Sequence, residues 1–314
     1  MQAVFVTHNE LGIACLEELS ELGAEIKHVF TRPRREDISD QTDIGAFADN
    51  NDVPLSRVSS VNTPAVQSTI QDCDPDILFI IGWSQLVDTE VLEIPNVAAL
   101  GMHPAPLPRG RGRAPLAWSL IKGLDETALS FFHLVEAADA GDIVGQQPLP
   151  IDRQDDAQSM YDKMVEAGRT LIQRHYTELE SGTIPRQQQD HSAATWWPKR
   201  EPHHGLIDWT RTPEEVYNWI RGQTRPYPGA YSYLDGDKIT IWKAEPPASE
   251  TEFVTPGEIA YRDGDRLGVG SWEGIIDLTE VQVGEDTPLS AGELVSSYRY
   301  QIGDQFQNAR DPLV

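Results

Sequence analysis

The chain has 314 residues, of which 50 are acidic and 25 basic, giving a net charge of −25. That length excludes a single small domain and favours two of unequal size. An acidic excess spread along the whole chain disfavours a broad polyanion-binding surface. The longest unbroken apolar run, Ile77 to Ile81, falls far short of the roughly 20 residues a membrane-spanning helix needs. The opening MQAVFVTHNE has no signal-peptide charge pattern, so a soluble cytoplasmic protein is expected. Self-repulsion on this scale is tolerable where salt screens it over a few ångströms, which points to a salty, halophilic cytoplasm. Cys15 and Cys73 lack any CxxC spacing and read as reduced core thiols.

In chain order, QAVFV (2–6) predicts a buried strand, and the following stretch a helix with Leu11, Cys15, Leu16, Leu19 and Leu22 on one face. EIKHVF (25–30) and DILFII (76–81) read as further strands. VAAL (97–100) follows, then a helix over 114–123 and strands at ALSFFHL (128–134) and IVGQQPL (143–149). A long amphipathic helix is expected over 159–179 with Ser159 as its cap. Strands alternating with helices predict an α/β domain, a Rossmann-like mostly parallel sheet covered on both faces, over residues 1–182. Residues 183–204 have three prolines and no periodicity and read as an ordered linker, with Trp196 and Trp197 lying on a surface. After a short helix at 213–223, strands separated by turn signals predict a small C-terminal β-barrel, OB-like, over 205–314. There is neither a G-x-G-x-x-G after the first strand nor a G-x-x-x-x-G-K-S/T, so dinucleotide and nucleoside-triphosphatase readings lack their signatures.

The densest chemistry lies in GMHPAPLPRGRGRAPLAW (101–118), one histidine among four prolines, three glycines and three arginines. His103 follows a predicted strand at its carboxyl end, where open α/β sheets bind ligands. Pro104, Pro106 and Pro108 fix alternate φ angles and remove backbone donors, so the loop is stiff. Asp139 lies 36 residues on in a small-residue turn, EAADAGDI. A carboxylate meeting His103 would orient the imidazole and share a proton. From spacing alone the pairing stays open, as does a merely local role for the histidine.

This stretch, with EAADAGDIVGQQPLPI downstream, resembles the 10-formyltetrahydrofolate-dependent formyltransferases, whose hallmark is Asn-x-His-Pro with a later Asp-x-Gly. HGLIDWTRTPEEVYNWIRGQTRPYPGAYSYLDGDKITIWKA (204–244) is similar to the start of the C-terminal domain of methionyl-tRNA formyltransferases and related nucleotide amino-sugar formyltransferases. The resemblance covers nearly the whole chain. It implies the formyltransferase fold and transfer of a formyl group from 10-formyltetrahydrofolate, a co-substrate, to a primary amine. His103 and Asp139 match the catalytic His and Asp. Gly101 stands where the family has a catalytic Asn, whose amide donates to the developing oxyanion. Losing such a donor costs about 10²–10³ in rate unless protonated His103, a backbone N–H or a water replaces it. The resemblance also implies a folate pocket of Gly82, Trp83, Gln85, Leu86 and Val87 with Val135, Glu136, Ala137 and Ala138. Packing at a strand end is an equal reading for Trp83 and Leu86.

Arg109, Arg111 and Arg113 make a local cationic loop beside His103, suited to bidentate recognition of a substrate phosphate. An amine on a phosphate-bearing nucleotide amino sugar is therefore the expected acceptor. Methionyl-tRNA is the alternative, although the segment 31–50, where such enzymes carry a basic insertion, is short here and acidic after Arg35. A third reading, a non-catalytic folate- or nucleotide-binding protein, rests on Gly101 alone. No metal site is expected: His203 and His204 lack ligand spacing and read as a surface pair. His133 reads as a core histidine, Asp142 as a turn carboxylate, and Tyr227 as a junction residue that could also touch a substrate base. Neither the oligomeric state nor the role of the C-terminal domain is legible.

Overall fold

The computed structural model describes residues 1–34, 41–247 and 254–308. Residues 35–40, the acidic part of the segment contrasted above with the tRNA-binding insertion, lie outside the described residues. The chain forms two compact units. The first comprises Met1–Pro115, Glu126–Pro150 and Tyr161–Pro198, and the second Leu116–Asp125, Ile151–Met160 and Lys199–Val314.

In the first unit, β1 (Gln2–Val6), α1 (Glu10–Glu21), β2 (Glu25–Thr31), α2 (Gly45–Asn50), β3 (Leu55–Arg57), α3 (Pro64–Cys73), β4 (Ile77–Ile80), α4 (Thr89–Leu92) and β5 (Ala98–His103) alternate. After β6 (Arg111–Gly112) come β7 (Glu126–His133), β8 (Ile143–Pro150), most of α6 (Ala157–Ser181) and β9 (Trp196–Trp197), while α5 (Pro115–Ile121) and the start of α6 fall in segments of the second unit. The seven-stranded sheet has the order β3-β2-β1-β4-β5-β7-β8. Its first five strands are parallel, whereas β7 runs antiparallel to both β5 and β8. Strands β1 and β4 read as continuous apolar runs because both faces are covered. Val4, Val6, Leu78 and Ile80 pack with Val66 and Ile70 of α3. Asn9 caps α1 by accepting from the Gly12 N–H at 3.1 Å. Gly168 lets α6 approach α1 closely: a Cβ there would sit 2.6 Å from Leu11 Cδ1 and 2.9 Å from Cys15 Sγ. Cys15 is a buried thiol whose pKa desolvation pushes up, as a core thiol's should be.

The long helix starts earlier than its apolar spacing implies, and Ser159 is not its cap. The Asp156 carboxylate accepts from the Ser159 N–H at 3.0 Å, while the Ser159 hydroxyl accepts from the Asp156 N–H at 3.1 Å. The stretch 183–198, read as linker, carries a 3₁₀ turn (His191–Ala193) and β9. It bonds to β8 through reciprocal Ile143 and Gln187 backbone pairs and to β6 through β9.

The second unit has α7 (Pro213–Arg221), started by a Thr212/Glu215 capping box, then β10 (Ala230–Leu234), β11 (Asp237–Ala244), β12 (Ile259–Asp263), β13 (Arg266–Ser271), β14 (Gly274–Val283), β15 (Leu289–Ser290) and α8 (Glu293–Ser297). The antiparallel order is β10-β11-β14-β13-β12. Asp235 and Gly236, both with positive φ, make the tight turn that β10 and β11 need. Gln305 and Phe306 then bridge to Glu258 beside β12 and to Leu234 of β10, which joins the two sheet edges as a barrel would. The interior holds Trp209, Ile239, Ile241, Leu278 and Phe306, all but fully buried. No helix among the described residues is long and apolar enough to cross a membrane.

Candidate active site

His103 is the last residue of β5 and is buried. The proline loop after it is fixed to β7 and β8. The Ser130 hydroxyl donates to the Ala105 carbonyl at 2.6 Å and accepts from the Leu107 N–H at 3.2 Å, and the Gln146 amide donates to the Leu107 carbonyl at 2.9 Å. The loop returns so that His103 Nε2 lies 2.9 Å from the Gly110 carbonyl oxygen. A carbonyl only accepts, so Nε2 carries the proton in that contact. Nδ1 therefore faces Asp139, 3.5 Å from Oδ1. That separation is too long for a strong direct hydrogen bond and leaves both atoms able to engage a third group.

Asp139 sits in the loop between β7 and β8 with φ +56°, a conformation that costs an L-residue about 1–3 kcal/mol and persists only when surroundings impose it. Those surroundings are specific. The Gly112 N–H donates to Asp139 Oδ2 at 3.0 Å. Gln189, buried, donates through Nε2 to the carbonyls of Asp139 at 2.9 Å and Gly141 at 2.6 Å. Its Oε1 accepts from Arg111 Nη2 at 2.6 Å.

Arg111 thus departs from the expectation that it faces a phosphate with Arg109 and Arg113. It is 4% exposed, bonded to Gln189 and to His191 Nδ1 at 2.9 Å, and stacked 5.7 Å from the Trp196 ring centroid. Pairing of β6 with β9 turns its side chain inward and leaves the two flanking arginines outside. Arg109 and Arg113 are exposed, and their guanidinium groups have no ion-pair partner among the described residues.

Gly101 lies on β5 between β4 and β7. A Cβ built there would meet Leu134 Cδ2 at 2.8 Å and the Ile80 carbonyl at 3.0 Å. An Asn side chain at this position would therefore have to displace the end of the Leu134 side chain, an apolar neighbour.

The residues expected to bind folate fall on two loops. Leu86 is 72% exposed and Val135 45% exposed. Gln85, Glu136 and Ala137 are also exposed, and Ala138 is half-buried. The backbone N–H groups of 85–87 and 135–138 make no hydrogen bond among the described residues. Exposed apolar walls with unused backbone donors fit a flat heterocycle with a polar edge. Gly82 has φ +67°, and its carbonyl accepts from the His8 N–H at 3.3 Å. Trp83 and Val87 pack partly on the α3 side of the core, and the Arg32 guanidinium lies 5.3 Å from the Trp83 ring centroid. Asn62 ties the first loop, donating to the Leu86 carbonyl at 3.2 Å and accepting from the Asp88 N–H at 3.1 Å.

The remaining residues take structural places. His133 Nε2 donates to the Pro185 carbonyl at 3.0 Å, and burial lowers its pKa. Asp142 lies 3.7 Å from Arg186. His204 Nδ1 accepts from the Glu201 N–H at 2.9 Å. No cluster of metal-ligating side chains occurs among the described residues. Sequence reasoning missed Gln189 and Leu134. Three consecutive glutamines give no sign of which one reaches Asp139, and nothing in VEAA marks the leucine before it.

Comparison with known proteins bears on the family and the fold. Residues 8–175 match the family described as formyl transferase, and residues 199–299 the formyl transferase C-terminal domain. A methionyl-tRNA formyltransferase of Geobacter sulfurreducens is 31% identical over 98% of this chain and 98% of its own length. HypX from Aquifex aeolicus, solved with tetrahydrofolic acid, superposes with TM-score 0.68 at 19% identity over 98% of this chain, which spans 51% of HypX. An N-formyltransferase from Helicobacter canadensis, solved with folinic acid and dTDP-3-aminofucose, gives TM-score 0.64 at 16% identity over 88% of this chain and 98% of its own. The chain belongs to the formyl transferase family. It is a one-carbon transferase whose formyl donor is 10-formyltetrahydrofolate.

Proposed function

We propose that this chain formylates a primary amine on a phosphate-bearing nucleotide amino sugar, with His103 and Asp139 performing the proton transfers. The observation that carries the acceptor is the pair Arg109 and Arg113, exposed and without carboxylate partners among the described residues, beside the dyad in a chain of net charge −25. Two guanidinium forks suit a compact phosphate. Methionyl-tRNA needs a broad cationic surface, because counterion release supplies most of the affinity for a polyphosphate backbone.

When bound, 10-formyltetrahydrofolate supplies an acyl carbon already activated for attack. The exposed 83–87 and 135–138 loops would hold it, with Leu86 and Val135 against its ring. The acceptor amine must be neutral to attack, and it sheds a proton as its bond to the formyl carbon forms. Asp139 takes that proton, directly or through water. The proton then returns, by way of His103, to the departing nitrogen as its bond to the formyl carbon breaks. Gly112 and Gln189 keep Asp139 oriented throughout. With no side-chain amide at Gly101, protonated His103 is the donor that steadies the developing oxyanion.

The methionyl-tRNA reading has its own support, since the relatives so named are 28–31% identical over nearly the full chain, above the 16% of the amino-sugar enzyme. The net charge of −25 and the short segment 31–50 support the sugar. A non-catalytic binding role would need the dyad to be idle, and the support around Asp139 argues against that. The deciding experiment supplies 10-formyltetrahydrofolate with methionyl-tRNA or with a panel of nucleotide-linked amino sugars. It is run in molar potassium chloride, since we infer a salty cytoplasm from the charge. Release of tetrahydrofolate with a sugar is the expected result, and release with methionyl-tRNA alone overturns the acceptor. Silence with both, in protein that binds tetrahydrofolate, favours the non-catalytic reading.

A further inference from the structure

Trp196 is 58% exposed, in a strand of two residues that β6 holds beside the dyad loop. A Trp left half in water on a short edge strand buries little of the apolar surface that normally justifies the residue. One side of the ring is not free. The Arg111 guanidinium lies 5.7 Å from its centroid, buried, and no carboxylate pairs with that cation among the described residues. Arg111 Nε has no hydrogen-bond partner among the described residues. The indole therefore stands on a fixed, uncompensated positive charge with part of its surface turned to solvent.

The cations on either side fall within two residues of it along the same ladder. Arg111 N–H donates to the Thr195 carbonyl at 2.9 Å, and Gly110 N–H to the Thr195 hydroxyl at 2.9 Å. Arg109 precedes that contact. Arg113 follows it, its N–H donating to the Trp197 carbonyl at 3.5 Å. A flat platform with two exposed arginines close by along its ladder suits a nucleobase joined to phosphate.

We propose that Trp196 is the stacking platform for the base of the acceptor's nucleotide, with Arg111 as its backing and Arg109 and Arg113 on the phosphates. The inference rests on the nucleotide reading above and assigns that ligand's base to a residue. Trp196 is then a specificity-determining residue that never touches the reacting atoms. Through Gln189 the same arginine also supports the Asp139 loop, so base recognition and dyad geometry share one buried cation.

Calorimetric titration of the full chain tests this without any transfer step. The probes are UDP, dTDP, GDP and ADP, with inorganic pyrophosphate as the phosphate-only control. At least one nucleoside diphosphate should bind more tightly than pyrophosphate. Trp196→Leu, which still covers Arg111 but has no π face, should weaken that binding by roughly 5- to 100-fold, the range expected for one stacked base. Trp196→Phe should stay within a few-fold of wild type, and tetrahydrofolate binding should be unchanged in both variants. Unchanged nucleotide binding in Trp196→Leu overturns the proposal. So does wild-type protein that binds no diphosphate better than pyrophosphate. A preference for ADP, together with turnover of methionyl-tRNA alone, keeps the platform as the seat of a terminal adenosine while the amino-sugar reading fails. The two claims therefore fail separately.

Discussion

The dyad loop of the first unit and the antiparallel sheet of the second both hold residues in left-handed backbone conformations, for different reasons. In the second unit they are Asp235 and Glu273, each in the short turn between two paired strands. There the hairpin itself demands positive φ. In the first unit Asp52 follows the C-cap of α2, Asp74 closes α3 as a left-handed C-cap and Ala114 immediately precedes α5, whereas Asp139 sits in neither a cap nor a hairpin of two residues. Asp139 is imposed by Gly112 and Gln189, and Ala114 lies next to exposed Arg113. Strain that local geometry does not require has collected around the candidate site, while the barrel-like sheet breaks no rule that its turns do not excuse.

If that contrast is sound, substitutions in the two regions should damage different properties. The largest stability loss is expected from Phe306→Ala, which removes a buried ring from the seam joining β10 to β12. About 3–5 kcal/mol should be lost in denaturant unfolding. Arg111→Leu should cost less stability, about 1–3 kcal/mol from the unpaired Gln189 oxygen. It should instead lower kcat by roughly 10- to 100-fold as Asp139 loses its fixed position. Tetrahydrofolate affinity, measured alongside, should hold; a fall in both would place Arg111 in the folate pocket.

Gly101→Asn sharpens the comparison from the other side. Alone it should destabilise by about 1–3 kcal/mol through the clash with Leu134. Gly101→Asn combined with Leu134→Ala should recover most of that in thermal melts. A single variant as stable as wild type would mean that Leu134 moves aside freely.

The smallest effect concerns pH. Burial lowers the pKa of His28, His133 and His175, so these residues bind protons more readily unfolded than folded. Their contribution is complete above the unfolded value of about 6.5 and is lost as pH falls through the lower folded values. The Tm should therefore drop between pH 7.5 and pH 5.5, and His133→Gln, which keeps a donor for the Pro185 carbonyl, should reduce the drop. An unchanged slope in that variant would remove His133 from the account.

The parallel strands were legible because buried β1 and β4 are continuous apolar runs, and the proximity of His103 to Asp139 because the stiff His103 loop and the Asp139 turn resemble a known pattern. β3, α2, α3 and α4 were not read, since their sequences are short or polar and acquire their faces only when packed. The direction of Arg111 could not be read either. β6 is two residues long, too short to show a period, and its partner β9 lies more than 80 residues away. Leu134 and Gly101 meet because β7 pairs antiparallel with β5, a register fixed by tertiary structure. Arg109, Arg111 and Arg113 look equivalent along the chain and become different only once that ladder forms.

The most direct test of the dyad is a single-turnover comparison of His103→Ala, Asp139→Asn and the double variant, with saturating donor and acceptor. Groups acting as one unit lose rate together, so each single variant should fall by about 10²–10⁴-fold and the double variant little further. Wild-type rates in both single variants would contradict the assignment of the chemistry to this pair.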